Sequence, residues 1–193
     1  MAEGYEAFDD PYLYPGTSVL KNRLDIRDAA TLTAFEVEAS HFRAEIGLPE
    51  GNFDAAHYRA AHHQLFQDVY EWAGKYRTVR IAKGETMFCY PENISVQMDA
   101  LFGGIEGGAR FRDLTPEEFV NRLAGFLAEL NAIHPFREGN GRTQLSFAGL
   151  IGAAFDQPLQ LERVDPRSFL RAMVASFAGE LGLLIAQLRL LRG

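Results

Sequence analysis

The chain carries a single cysteine, Cys89, in 193 residues. An intrachain disulfide is therefore excluded, and the composition suits a reducing compartment. Positive charge is in deficit: 19 Lys and Arg stand against 26 Asp and Glu, a formal charge of −7. That balance argues against general binding to nucleic acid or acidic membranes, both of which need a basic face. No apolar run reaches the roughly 18 residues that suggest a membrane span. Met1–Glu6 is acidic and polar and shows no cleavable export signal. There is no H-E-x-x-H and no Cys/His cluster, and His57 and His62 fall five apart, off a common helix face. Repeats, low-complexity tracts and linkers are missing too. The chain therefore reads as one domain over residues 1–193, long enough for a well-formed core.

What is present is mostly helical patterning. Residues 1–27, broken by Pro11, Pro15 and Gly16, read as an irregular wrap around the domain. Asp28 is placed to cap a helix to about Ile46, with Leu32, Phe35, Phe42 and Ile46 at helical spacing. A second helix is expected over 54–73, through Tyr58, Leu65, Phe66, Val69 and Trp72, ending at Gly74. Thr78 to Tyr90 alternates in a way that suits a short hairpin turning near Lys83, Gly84 and Glu85. A helix from about Ile94 to Phe102 and a glycine-marked loop follow. Thr115-Pro-Glu-Glu118 is a capping box with proline at the first helical position. Asp165-Pro166 repeats the cap-then-proline pattern before a last helix toward Leu191.

The stretch from His134 to Gln144 carries the chemistry. It sets a histidine four residues before a glutamate, then Gly139-Asn140-Gly141, then Arg142. Apolar positions on both sides make it a loop between two helices. A Gly-Asn-Gly turn opening a helix offers unobstructed backbone N–H groups and the positive end of a dipole, an anion site. Glu138 is placed to hold Mg²⁺ beside phosphates, because Mg²⁺ takes one or two carboxylates plus substrate oxygens. Arg142 can set a forked guanidinium on a phosphate. His134 can accept a hydroxyl proton near neutral pH.

This string resembles the Fic-domain motif, H-x-F-x-[D/E]-G-N-G-R-x-x-R. His134, Phe136, Glu138, Gly139, Asn140, Gly141 and Arg142 match it position by position. Upstream, Phe66 to Gly84 is similar to the helix end that leads into the family's target-positioning flap. Tyr12 to Asn22 is similar to the start of stand-alone class I Fic toxins and related secreted effectors. The resemblance covers about residues 12 to 185. It implies a mainly α Fic fold, a helical bundle with one short β-hairpin flap beside a catalytic loop at 134–145. It also implies transfer of AMP from ATP to a hydroxyl side chain of a target protein. His134 would be the general base, and Glu138 would hold Mg²⁺ on the phosphates. Gly139, Asn140 and Gly141 would form the anion hole, Arg142 would bind a phosphate, and Phe136 would anchor the loop. Arg80, Ile81, Lys83 and Gly84 would belong to the flap, although Arg80 and Lys83 read equally well as solvated turn charges.

The motif's last arginine is Leu145 here. The family's arginine contacts the γ-phosphate and pairs with an inhibitory glutamate, and leucine does neither. Either the donor is held differently, or Arg137 or another cation substitutes while Leu145 packs in the core. The family's self-inhibiting helix reads [S/T]-x-x-x-E-[G/N]. Ser176 to Glu180 has that spacing, but Leu181 follows, and the segment reads as an ordinary part of the closing helix. The chain then resembles the class restrained by a separate small antitoxin. Its place would be the bacterial cytoplasm, or a host cell reached by a non-cleaved signal. Transfer of another phosphate-linked group, as in a phosphotransferase, and a silent binding module remain the alternatives.

Overall fold

Local capping chemistry sets where the helices begin. A computed structural model describes residues 10–84 and 86–192, with the backbone alone for Lys83 and Thr86. Met1–Glu6 and Glu85 of the expected turn lie outside the described residues. Among the described residues the helices are α1 (Ala29–Ile46), α2 (Ala55–Phe66), α3 (Ile94–Gly103), α4 (Pro116–Ile133), α5 (Asn140–Ala154), α6 (Pro166–Phe177) and α7 (Gly182–Arg192). Asp28, Asp54 and Asp165 each accept a backbone N–H three residues on, at the starts of α1, α2 and α6. At α4 both halves of the Thr115–Glu118 box form, with Pro116 inside it. Each such cap contributes about 1 kcal/mol.

Helix α4 is the centre of the bundle. Phe119, Val120, Leu123, Ala124, Phe126, Leu127, Leu130 and Ile133 are buried on it. That apolar face is too wide for one neighbour, and α3, α5, α6 and α7 all pack against it. A second, smaller core joins α1, α2 and the N-terminal segment through Val19, Leu32, Leu65, Phe66, Val69 and Tyr70. The catalytic loop expected at 134–145 runs from the end of α4 into α5, between the two cores.

The structure corrects the expected elements in four places. Helix α2 stops at Phe66 rather than running to Gly74; the Val69 and Tyr70 N–H groups both turn back to the Phe66 carbonyl. On α1 the expected apolar residues Phe42 and Ile46 are exposed, 58% each, while Leu32, Glu36 and Ser40 face inward. The final helix is two: Gly179, at φ 85°, breaks it between α6 and α7, which pack together. Ser176 is therefore in the last turn of α6 while Glu180 lies beyond the Gly179 break, so the two do not share one helix face.

The hairpin is the fourth correction. Strands β1 (Ala82–Lys83) and β2 (Thr86–Met87) pair antiparallel, with Ala82 opposite Met87 and Lys83 opposite Thr86. Just beyond them the Phe88 N–H reaches the Ile81 carbonyl at 3.4 Å, and farther out the backbone is claimed elsewhere. The Arg77 N–H bonds the Pro135 carbonyl at 2.9 Å, and the Cys89 N–H bonds the Ala132 carbonyl at 3.1 Å. The outer ends of the expected strands, at Arg77 and Cys89, therefore pair with the loop after α4 and with its end.

Candidate active site

His134 ends α4 in the left-handed conformation, φ 49° and ψ 63°, with its N–H on the Leu130 carbonyl. Pro135, which has no N–H, then prevents the helix from continuing. The His134 ring stacks on Phe88 with centroids 4.0 Å apart, and Phe88 meets Phe177 edge-on. Nδ1 lies 3.3 Å from the Asn131 carbonyl. A carbonyl can only accept, so Nδ1 carries a proton, and in the neutral ring Nε2 is then the basic nitrogen. Asn131 is itself tied to α6, donating to the Met173 carbonyl at 2.9 Å.

The turn after His134 is held from inside. Asn140 uses both ends of its amide on Phe136: Oδ1 accepts the Phe136 N–H at 3.0 Å and Nδ2 donates to its carbonyl at 2.8 Å. Its side chain is thus a loop staple, and what it offers an anion is its backbone N–H. Phe136 is fully buried and stacks on His62 and Tyr58. Gly139 sits at φ 82°, and a Cβ there would meet the Phe66 ring at 2.4 Å. No side chain caps α5, whose first internal backbone bond runs from Thr143 to Gly139. The N–H groups of Asn140, Gly141 and Arg142 consequently have no acceptor within the helix.

Two charged residues flank that open end. Glu138 accepts the Gly139 N–H at 2.9 Å. Burial, then the nearby Glu36 carboxylate, raises its carboxyl above the ordinary range, against the Gly139 bond and Arg142. About a third of its side chain still reaches solvent, so an approaching cation has access. Arg142 lies over the Phe66 ring at 4.7 Å, with Glu138 Oε1 3.9 Å away. Among the described residues no group of three or more His, Cys, Asp or Glu side chains is placed to hold a metal ion. One accessible carboxylate suits a cation whose other ligands are water and substrate oxygens.

The remaining expected residues divide. Arg137 is no substitute for an arginine at 145: it is buried and paired with the buried Asp10 at 2.7 Å. Leu145 packs half-buried against the main core. In the hairpin region Ile81 turns inward and is buried, while Gly84 is exposed at the turn at φ 57°. Arg80 is largely exposed, over the Tyr90 ring at 4.2 Å and 3.8 Å from Glu92. The Lys83 side chain lies outside the description. Cys89 is half-buried, and burial raises its thiol, as expected of a packing residue rather than a reactive one.

Several supporting residues were not singled out in the sequence. Glu36 and Ser40 reach Arg142 from α1; the four-residue spacing of Leu32, Glu36 and Ser40 was the available signal. Arg77 donates to the Ile133, His134, Val79 and Cys89 carbonyls. His62 accepts the Gly74 N–H at Nδ1, 2.8 Å, so its Nε2 proton goes to the Glu138 carbonyl at 3.0 Å.

Burial drives the pKa of His62 down to about 3 from an ordinary 6.5. The neutral form is the native one, so its contribution to stability is complete above pH 6.5. Between pH 6.5 and about 3 the unfolded chain takes up a proton that the native chain refuses, and stability falls. The contribution is at most about 1.4 kcal/mol per pH unit. The melting temperature should therefore drop from pH 7 to pH 5, and less steeply in His62→Gln. Equal slopes in the two proteins would show that His62 does not carry the effect.

The family profile that matches residues 52–151 is that of the Fic/DOC family. The chain belongs to this family. Its Fic domain is 47% identical over 186 residues to a probable protein adenylyltransferase, y4lH, of Sinorhizobium fredii, covering 96% of this chain and 97% of that one. It is 36% identical to the protein adenylyltransferase VbhT of Bartonella schoenbuchensis, covering 96% of this chain and 39% of that larger protein. Among solved structures, the effector BepC of Bartonella tribocorum with bound AMPPNP is similar at a TM-score of 0.86 and 26% identity, over 93% of this chain and 95% of that one. The mainly helical Fic fold expected from the sequence is thus present. No helix among the described residues is long and apolar enough to cross a membrane.

Proposed function

We propose that this Fic protein transfers AMP from ATP to a hydroxyl side chain of a target protein. The observation that carries the reading is His134, its ring oriented by the Asn131 carbonyl at Nδ1, on the same loop as the uncapped start of α5. His134 takes the hydroxyl proton as the oxygen attacks the α-phosphorus. The bond to the bridging oxygen of the β-phosphate breaks, and pyrophosphate leaves. The Asn140, Gly141 and Arg142 N–H groups donate to the phosphate oxygens, where charge accumulates. Glu138 would hold Mg²⁺, which supplies charge neutralisation on the phosphates. The names of y4lH and VbhT and the AMPPNP bound to BepC support this donor and this reaction.

The target presents a Ser, Thr or Tyr hydroxyl, with β1 and β2 aligning its backbone by strand pairing. The restraint on activity comes from a separate antitoxin rather than from Ser176–Glu180, which the α6–α7 turn takes out of helical register. The protein acts in the bacterial cytoplasm or, like the Bartonella effectors, after delivery.

Transfer assays on cell lysate with Mg²⁺, run with α-³²P-ATP and γ-³²P-ATP, test the reading. Label from the α-phosphate alone, lost in His134→Ala, is expected; the loss should be about 10² to 10⁴-fold, the range for a general base. Label from the γ-phosphate alone would move the protein to phosphotransfer. Label surviving in His134→Ala would remove the base from its role.

A further inference from the structure

We propose that Glu36 on α1 is a positioning residue for the phosphate-binding arginine, Arg142. The inference rests on the reading of Arg142 given above. Glu36 is 7% exposed, and both carboxylate oxygens are engaged, Oε1 by the Arg142 guanidinium and Oε2 by the Tyr70 hydroxyl. The other terminal nitrogen of Arg142 donates to Ser40 Oγ at 3.1 Å and lies 3.4 Å from the Glu36 carbonyl. Below the guanidinium is the Phe66 ring. Arg142 is thus fixed on one edge by α1 and on one face by α2. Its Nε–H has no acceptor among the described residues, which leaves a donor for an incoming oxygen.

The charge of Glu36 makes the placement informative. A buried carboxylate close to Glu138 disfavours binding of a polyanion and raises the Glu138 carboxyl. A residue serving only helix packing would gain by being neutral there. What a carboxylate adds is a fixed orientation for a long, otherwise mobile side chain, removing the ordering cost that nucleotide binding would carry. Both Glu36 carboxylate oxygens are engaged within the protein, so its effect passes through Arg142.

The test is a double-mutant cycle on the full chain, reading the Kd of ATP by calorimetry and the KM for ATP and kcat of transfer. Glu36→Gln keeps the shape and loses the charge. It should weaken ATP binding and raise KM about tenfold, with kcat changed less than threefold. In an Arg142→Ala background the same substitution should change Kd less than twofold. Tyr70→Phe, which removes only the hydroxyl steadying Oε2, should weaken binding about threefold, and it decides the matter if Glu36→Gln does not fold. An ATP affinity unchanged in the folded single variant, or an equal loss in both backgrounds, would overturn the proposal. A wild-type protein that binds no ATP would instead sink the nucleotide reading on which it rests.

Discussion

Arg77→Met is expected to destabilise the protein by roughly 4 to 5 kcal/mol and to uncouple the hairpin from the catalytic loop. Arg77 is 2% exposed, and its guanidinium reaches Val79 and Cys89 on one side, Ile133 and His134 on the other, at 2.6 to 3.2 Å. Methionine keeps the stem and the backbone N–H to Pro135 but removes every one of those donors. A buried acceptor left without a partner costs about 1 to 3 kcal/mol, and several lost together reach the exceptional end of single substitutions. The functional consequence is selective. The carbonyls that the Arg77 guanidinium holds all lie outside α5, so ATP binding by calorimetry should weaken less than threefold in the folded variant. Transfer to a protein target should fall at least a hundredfold, because both the strand flanks and the His134 backbone lose their common tie. A variant that melts like the wild type, or loses ATP binding as fully as transfer, contradicts this account.

Two glycines of the same turn should respond in opposite ways. Gly139→Ala combines a left-handed backbone angle, costing about 1 to 2 kcal/mol for a residue with a Cβ, with a clash at 2.4 Å against a buried phenylalanine. Overpacking adds about 1 to 3 kcal/mol, so the melting temperature should fall sharply and activity with it. Gly141 is exposed, has no positive φ, and an added Cβ would meet nothing within 4 Å. Alanine is the better helix former by up to about 1 kcal/mol. Gly141→Ala should therefore melt at the same temperature or higher. It should nevertheless bind ATP at least tenfold more weakly, since the methyl group stands where the phosphates must approach the N–H groups. Unchanged ATP binding in Gly141→Ala would show that the anion site lies elsewhere.

The same contrast explains how much of the molecule was legible beforehand. Caps at Asp28, Asp54, Thr115 and Asp165 act over three residues, and the start of every helix they govern was readable. The loop string was readable as a family motif because its residues are contiguous: His134, Glu138, Gly139, Gly141 and Arg142 span nine positions. Helix ends were harder. Nothing local stops α2 at Phe66 in place of Gly74, and Gly179 breaks the last helix where the apolar pattern continues.

The sequence by itself determined the helical class, the capped start of the helix that leads to His134, the loop between two helices, and the family to which that loop points. Only the tertiary structure decided which groups hold that chemistry in place. Arg77 meets His134 across 57 positions, Glu36 meets Arg142 across 106, and Asp10 meets Arg137 across 127. No periodicity records such pairs. A charged side chain on an inward face must be satisfied once buried, but which partner satisfies it is set by the packing of elements distant along the chain.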